Sequence, residues 1–254
     1  MSESDAALIP VPKRLSLEQT GEWLRQGWED FVAEPVLGLI FGGIYPLVGL
    51  GLMAVLTLLD LGSLVLLAAS AFMLVGPVAA TALYEIARRR ELGEPVSFGI
   101  IIQSVKARST SIGDLGLVLT MILLSWFLIG FVLFAMFFTG SPPDFSDFIS
   151  NVLFNPASIP FMLVSTSIGF LLATLVFTIS VFAMPMLMDR DVTAYDAVSF
   201  SIRAVWKNRG NMIGWAATIT AFTAFGMSLA FVGLMVTFPV IAYASWHAYR
   251  DVAG

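Results

Sequence analysis

The chain has 254 residues, of which 58% are hydrophobic and only 12% charged, about half the charged share of roughly 25% usual in soluble proteins. A net charge of −5 offers no basic surface for nucleic acid, and the absence of cysteine excludes disulfides, thiolate metal sites and thiol catalysis. Phe (21) and Met (12) are abundant, as lipid-facing and gap-filling side chains are, and the length leaves no room for a sizeable soluble domain. The composition predicts an all-α, polytopic membrane helix bundle.

Residues 1–15 read as a flexible polar tail carrying Pro10 and Pro12. No short hydrophobic region lies near Met1, so a cleaved signal peptide is not expected. Ser16 with Gln19 forms a capping-box pattern that opens an amphipathic helix. Leu24, Trp28, Phe31 and Val32 share one of its faces, and Trp23 and Trp28 suit the headgroup level. This segment is expected to lie in the membrane interface up to Pro35.

From Pro35 to Arg90 the only charges before the Arg88-Arg89-Arg90 run are Asp60 and Glu85. A span needs roughly 20 apolar residues, so this stretch predicts two, turning at Asp60 where the carboxylate meets water. The loop from Glu85 to Gly113 carries Lys106 and Arg108 and a second amphipathic segment on Phe98, Ile101, Ile102 and Val105, with Ser97 placed to cap. Asp114 is expected to start a third span ending near Phe138, favoured there by the helix dipole. The following loop has Asp144 and Asp147 but no Lys or Arg, and a fourth span is expected from Phe161 to Met188.

Thr193 and Asp196 form a further cap-like pair before a third amphipathic segment, whose apolar face is Tyr195, Val198, Ile202, Val205 and Trp206. Asn211 to Trp246 then runs without charge. One helix of that length would reach about 54 Å at 1.5 Å per residue, so two short spans turning near Gly226 fit better than one. Six spans place every Lys and Arg on the side of both termini, opposite Asp60, Asp144 and Asp147, which predicts cytoplasmic ends.

The unit recurs. Pro77 precedes Arg88 by eleven residues as Pro239 precedes Arg250, with aromatics Tyr84 and Trp246 seven residues after each proline. Pro185 stands near the end of the fourth span, and Val96-Ser97-Phe98 repeats as Val198-Ser199-Phe200. The spacing predicts three copies of interfacial helix plus hairpin, over 15–92, 94–190 and 193–254, in one membrane domain of residues 16–254. Parallel copies of this kind are related by an axis along the membrane normal.

Chemistry-bearing residues are few. His247 is the only histidine and sits at a span end beside Trp246 and Tyr249, where a polar anchor is the plainer reading than a ligand. Asp189 and Asp191 flank Arg190, and mutual solvation accounts for them without metal. Gly38 with Gly42, and Ser165 with Gly169 and Ala173, are small-residue stripes that let helices approach closely, within the chain or toward a partner. Trp23, Trp28 and Trp206 are the other partner-facing candidates, and Pro77, Pro185 and Pro239 the expected helix breaks. Arg88, Arg89 and Arg90 read first as a topology determinant and second as anionic-lipid contacts. No phosphate-binding loop, zincin or serine-nucleophile motif is present, so no catalytic residue, cofactor or metal is expected.

Arg203-Ala204-Val205-Trp206-Lys207-Asn208-Arg209 leading into Asn211-Met212, and Phe238-Pro239-Val240 followed by Ala244 to Asp251, resemble a bacterial family of integral membrane proteins of unknown function, domain-of-unknown-function family 2189. The resemblance extends over nearly the whole chain and implies a membrane protein found largely in proteobacteria. Some members carry the label of putative cytochrome c oxidase. One histidine cannot ligate the haem and copper of an oxidase core, whereas an accessory subunit needs only packing surfaces. A weaker similarity is to membrane domains fused to glycerophosphodiester phosphodiesterases, whose catalytic residues are absent here. The expected function is a non-catalytic accessory, scaffold or assembly subunit of an inner-membrane complex, such as a respiratory one, with the bilayer and other membrane subunits as partners. The alternative is a small-molecule or lipid transporter with a path along the repeat axis.

Overall fold

A computed structural model describes residues 9–16, 19–59, 61, 64–138 and 155–254. Asp60, Asp144 and Asp147, expected at the turns, lie outside the described residues. Every regular element among those described is helical. In chain order they are α1 (Gln19–Ala33), α2 (Pro35–Leu58), α3 (Val65–Leu74), α4 (Gly76–Ala79), α5 (Thr81–Glu91), α6 (Phe98–Ala107), α7 (Ser109–Phe137), a 3-10 turn (Pro156–Ser158), α8 (Ile159–Ser180), α9 (Ala183–Asp189), α10 (Ala194–Lys207), α11 (Arg209–Ser228) and α12 (Leu234–Ala253).

Among the described residues, three stretches are long and apolar enough to cross a membrane: Pro35–Leu58, Ser109–Phe137 and Pro156–Asp189. The third starts earlier than the Phe161 expected, and α7 begins at Ser109 rather than Asp114, which lies exposed inside the helix. The other apolar stretches are interrupted or shorter. Residues 65–91 are divided by breaks at Val75 and Ala80 around Pro77, whose ring presses on the preceding turn and whose nitrogen cannot donate. Asn211 to Trp246 is two helices, α11 and α12, separated by a turn over residues 229–233, so the open choice between one helix and two resolves to two. Ala230 and Phe231 adopt left-handed backbone in that turn (φ 52° and 65°), a strained conformation for side chains with a Cβ.

The prolines are not equivalent. Pro185 follows the break between α8 and α9, but Pro239 lies inside an unbroken α12. That helix begins only five residues earlier, and the preceding turn supplies Gly233 O to the Val236 and Thr237 amides, so the ring is accommodated near the helix start. The Val-Ser-Phe repeat also fails in register. Ser97 occupies the N-cap of α6, without a capping hydrogen bond, whereas Ser199 lies within α10, six residues past its N-cap Thr193.

A different repeat takes its place. Each amphipathic helix passes into a long helix through one joint residue: Glu34 between α1 and α2, Arg108 between α6 and α7, Asn208 between α10 and α11. In each case the joint carbonyl accepts from the residue four further on, Gly38 (2.9 Å), Ile112 (3.1 Å) and Met212 (3.0 Å). The exit helices α5, α9 and α12 pack on one another, and each takes an amphipathic helix beside it: α6 on α5, α10 on α9, and α1, from the far end of the sequence, on α12. Each of α5 and α9 therefore holds the amphipathic helix that follows it, and the first such helix, α1, packs on α12.

The chain forms two compact units. The first is drawn from Met1–Pro46, Pro77–Gly116 and Phe177–Gly254. Its centre is α12, where Tyr243, Ala244, Trp246, Ala248, Tyr249 and Val252 are fully buried. Gly27 of α1 lies so close to α12 that a Cβ there would meet the Val240 carbonyl and the Ala244 backbone nitrogen at 2.5 and 2.7 Å. Trp23 and Trp215 meet edge to face, centroids 5.4 Å apart, both fully buried. Of the expected tail, residues 1–8 lie outside the described residues, and Lys13 and Leu15 are hydrogen-bonded to the other end of the chain. Lys13 N–H donates to Val252 O (2.8 Å), Leu15 N–H to Asn208 Oδ1 (2.9 Å), and Asn208 Nδ2 back to Lys13 O (2.9 Å).

The second unit is Leu47–Gly76 with Leu117–Val176. Leu56, Val65 and Ala68 form a small core with Met53, Leu64 and Phe127. Gly49 lies against the Phe72 ring and Gly130 against Leu67. Leu117, Met121, Leu124 and Leu128 are each more than 60% exposed, a density of bare apolar surface that water would not tolerate and lipid does.

Candidate functional site

The amphipathic helices bury other faces than their bulky residues indicate. On α1 the buried positions are Trp23, Gly27, Asp30 and Phe31, while Trp28 and Val32 are half exposed. On α10 they are Ala197, Phe200, Ser201 and Ala204, while Tyr195 and Trp206 point outward. Gly27, Ala197, Ser201 and Ala204 let backbones approach on the packed side, where Trp23, Phe31 and Phe200 also insert, while Trp28, Tyr195 and Trp206 are left outside. Trp23 is thus not a headgroup anchor. Its indole N–H donates to Asp251 Oδ2 at 2.7 Å. The cap-like pairs expected for α1 and α10 are present: Ser16 N–H donates to Gln19 Oε1 (2.9 Å) and Asp196 N–H to Thr193 Oγ1 (3.2 Å).

Burying the Trp23 face of α1 carries Asp30 inward, and with it the first unit acquires a polar network. Asp30 is 8% exposed and holds both Arg90 Nε (2.9 Å) and His247 Nε2 (2.8 Å), one on each oxygen, joining α1, α5 and α12. Glu91 does the same with Trp246 Nε1 (2.8 Å) and Arg250 Nε (2.9 Å). Asp189 accepts from Tyr249 OH (2.8 Å), with Arg250 Nη1 at 3.4 Å, which brings α9 into the set. Glu85 is completely buried and takes Arg88 Nε (2.8 Å) and Arg89 Nε (2.6 Å), while Arg89 also reaches Ser104 Oγ (3.1 Å) on α6. Arg108 donates to Leu187 O and Arg190 O at 3.0 and 2.8 Å, satisfying carbonyls at the end of α9.

The electrostatics follow from these pairs. Burial pushes the Glu85 carboxyl up, but hydrogen bonds and charge from Arg88 outweigh it, so the group titrates below the ordinary range. Burial, reinforced by the Asp189 charge, raises the Tyr249 phenol. Arg88, Arg89 and Arg90 are each engaged by a carboxylate, with side chains 17%, 17% and 28% exposed. Arg88 stays on its own helix and the loop after it, whereas Arg89 reaches Ser104 of α6 and Arg90 reaches Asp30 of α1.

The stripe residues pack within the chain. A Cβ on Gly38 would touch the Phe31 ring (3.1 Å) and the Tyr243 hydroxyl (3.3 Å), and Gly42 abuts the Pro239 ring. Gly169 faces the Trp126 ring, with a Cβ 3.1 Å from it. Ser165 bonds to the Met162 carbonyl (3.3 Å), and Ala173 is exposed. Gly27 was missed by sequence reasoning, although a glycine inside a short helix costs about 1 kcal/mol relative to alanine and so asks for a packing reason. Asp30 and His247 carry no such signal, being 217 residues apart.

Asp30 and Glu91 each take one donor on each oxygen, all from side chains of the same chain. No hydroxyl among the described residues bonds His247, and no group of three metal-ligating side chains is found among them.

Residues 64–189 match the family described as predicted integral membrane protein (DUF2189). This is an integral membrane protein. The resemblance read from the sequence is thereby shown, on other residues than those that first carried it: the DUF2189 match ends before Arg203 and spans residues 64–189 rather than nearly the whole chain. Uncharacterized proteins of Mycobacterium bovis and of two Mycobacterium tuberculosis strains are 35% identical over 74 residues, 29% of this chain. The chain spans 22% of the length of these relatives. No solved structure matches the chain.

Proposed function

We propose that this membrane protein is a non-catalytic scaffold, accessory or assembly subunit of a bacterial inner membrane. Its six spans form three hairpins, and both termini are cytoplasmic. The observation that carries this reading is the polar network of the first unit, where Asp30, Glu85, Glu91 and Asp189 are each held by side chains of the same chain. Such charges fasten helix ends, which is the work of a scaffold. The topology is supported by the thirteen Lys and Arg residues, all on one side if residues 65–83, 211–228 and 234–246 cross as well as the three long stretches. The mycobacterial matches fit a bacterial membrane. The transport alternative needs a path along the axis where α5, α9 and α12 meet, and there Ile86, Met186 and Trp246 are fully buried.

Purification in mild detergent followed by mass spectrometry tests the proposal, with a membrane subunit expected at constant stoichiometry. Robust substrate flux in proteoliposomes holding this chain alone, with no co-purifying partner, would sink it. Reporter fusions test the topology: periplasmic after Asp60 and Asp147, cytoplasmic after Gly254. A periplasmic signal after Gly254 would mean that α11 and α12 do not both cross.

A further inference from the structure

With Arg88–Arg90 committed to carboxylates, the basic residues that face outward lie elsewhere. Arg14, Arg203, Lys207 and Arg209 enter no ion pair among the described residues, and all four are exposed. Arg203 and Lys207 lie on α10, and Arg209 opens α11 just past the Asn208 joint. Arg14 arrives from the other end of the sequence. Lys207 Nζ donates to Pro12 O (2.6 Å) and Asn208 clasps Lys13 and Leu15, which sets Arg14 beside the end of α10. The neighbouring acid, Asp196, belongs to the opposite end of the helix and is taken by Thr193 (2.6 Å).

On the same helix Trp206 is 68% and Tyr195 79% exposed. They stand three turns apart, on the side opposite Ala197, Ser201 and Ala204, which are packed on the protein. An indole and a phenol on an outward face, flanked by cations that enter no ion pair among the described residues, match the cytoplasmic leaflet, where apolar depth lies beneath negative headgroups.

We propose that α10, with Arg14 and Arg209 at its C-terminal end, is an anionic-phospholipid site, the lipid phosphates pairing with Arg14, Arg203, Lys207 and Arg209 while Trp206 and Tyr195 enter the headgroup layer. It rests on membrane residence alone, not on the scaffold reading.

The test uses the full chain in proteoliposomes of phosphatidylcholine and phosphatidylglycerol, with bromine on the acyl chains of one lipid or the other at equal mole fraction. Trp206 quenching is the signal lost in Trp206→Phe. The site predicts stronger quenching by brominated phosphatidylglycerol, a preference that falls about fivefold for each charge removed in Arg203→Gln and Arg14→Gln/Arg203→Gln/Arg209→Gln. Wild-type protein in about 1 M salt, where the Debye length is about 3 Å, should lose it as well, so the answer does not depend on the variants folding. Equal quenching by both lipids, or a preference that survives salt, would overturn the anionic site. Quenching by neither would place the face off the leaflet, as a seated protein partner would do.

Discussion

The two units solve the same problem, holding apolar helices together, by different means. In the first unit helices meet at backbone distance, with Gly27 under the Val240 carbonyl and Gly42 on Pro239, and their ends are cross-linked by Asp30, Glu91 and Asp189. In the second, contacts are side chain on side chain, as with Gly169 on Trp126 and Phe161 on Phe138 (5.1 Å), and large apolar surfaces stay bare. Lipid competes with the second kind of contact because it is as apolar as the partner helix. It cannot replace an arginine on a buried carboxylate. Rigidity in this fold is therefore expected where the charges are.

Substitutions should separate the two modes. The largest effect is expected from Gly27→Leu, which forces a side chain into the α12 backbone, where nothing can rotate away. About 3 kcal/mol or more of destabilisation should appear as loss of the monodisperse peak on size exclusion after mild heating. Asp30→Asn comes next. It strips Arg90 and His247 of their shared counter-charge in a poorly hydrated place, and about 2 kcal/mol should be lost, read as a lower melting midpoint in detergent.

Acid should act on the first unit in a definite direction. Glu85 titrates lower folded than unfolded, so its contribution is complete above the unfolded carboxyl range near 4.3 and is lost as pH falls through the folded value. Glu85→Gln should flatten that acid limb and, because it leaves Arg88 and Arg89 without their buried counter-charge, also lower stability at neutral pH. Gly169→Leu, in the second unit, meets only the Trp126 ring, which can shift, so about 1 kcal/mol is expected. Gly51→Leu, with no atom within 4 Å of a built Cβ, should change the melting midpoint hardly at all. Equal losses at Gly27 and Gly51 would erase the distinction between the units.

Much of this architecture is legible in the sequence. Helix existence, the amphipathic segments and the Thr193 and Ser16 caps follow from periodicity and capping residues, which are local. Facing is not. Hydrophobic periodicity cannot tell a face turned to lipid from one turned to protein, so Trp23 read as a headgroup-level residue like Trp28 although it is buried beside Gly27 on the packed side. Pro239 read as a break because sequence spacing does not show that α12 has just begun. The polar network stayed invisible for a different reason: Asp30 meets His247 across 217 residues and Trp246 meets Glu91 across 155. Only the packing of α1 and α5 on α12 makes them neighbours.

Hydrogen–deuterium exchange on the full chain in nanodiscs, wild type against Asp30→Asn, tests most directly whether the charges fasten the first unit. Loss of protection is expected together in α1, the end of α5 and the C-terminal half of α12, with the Leu56, Val65 and Ala68 core unchanged. Protection unaltered in those three helices, or lost equally from that core, would contradict the account.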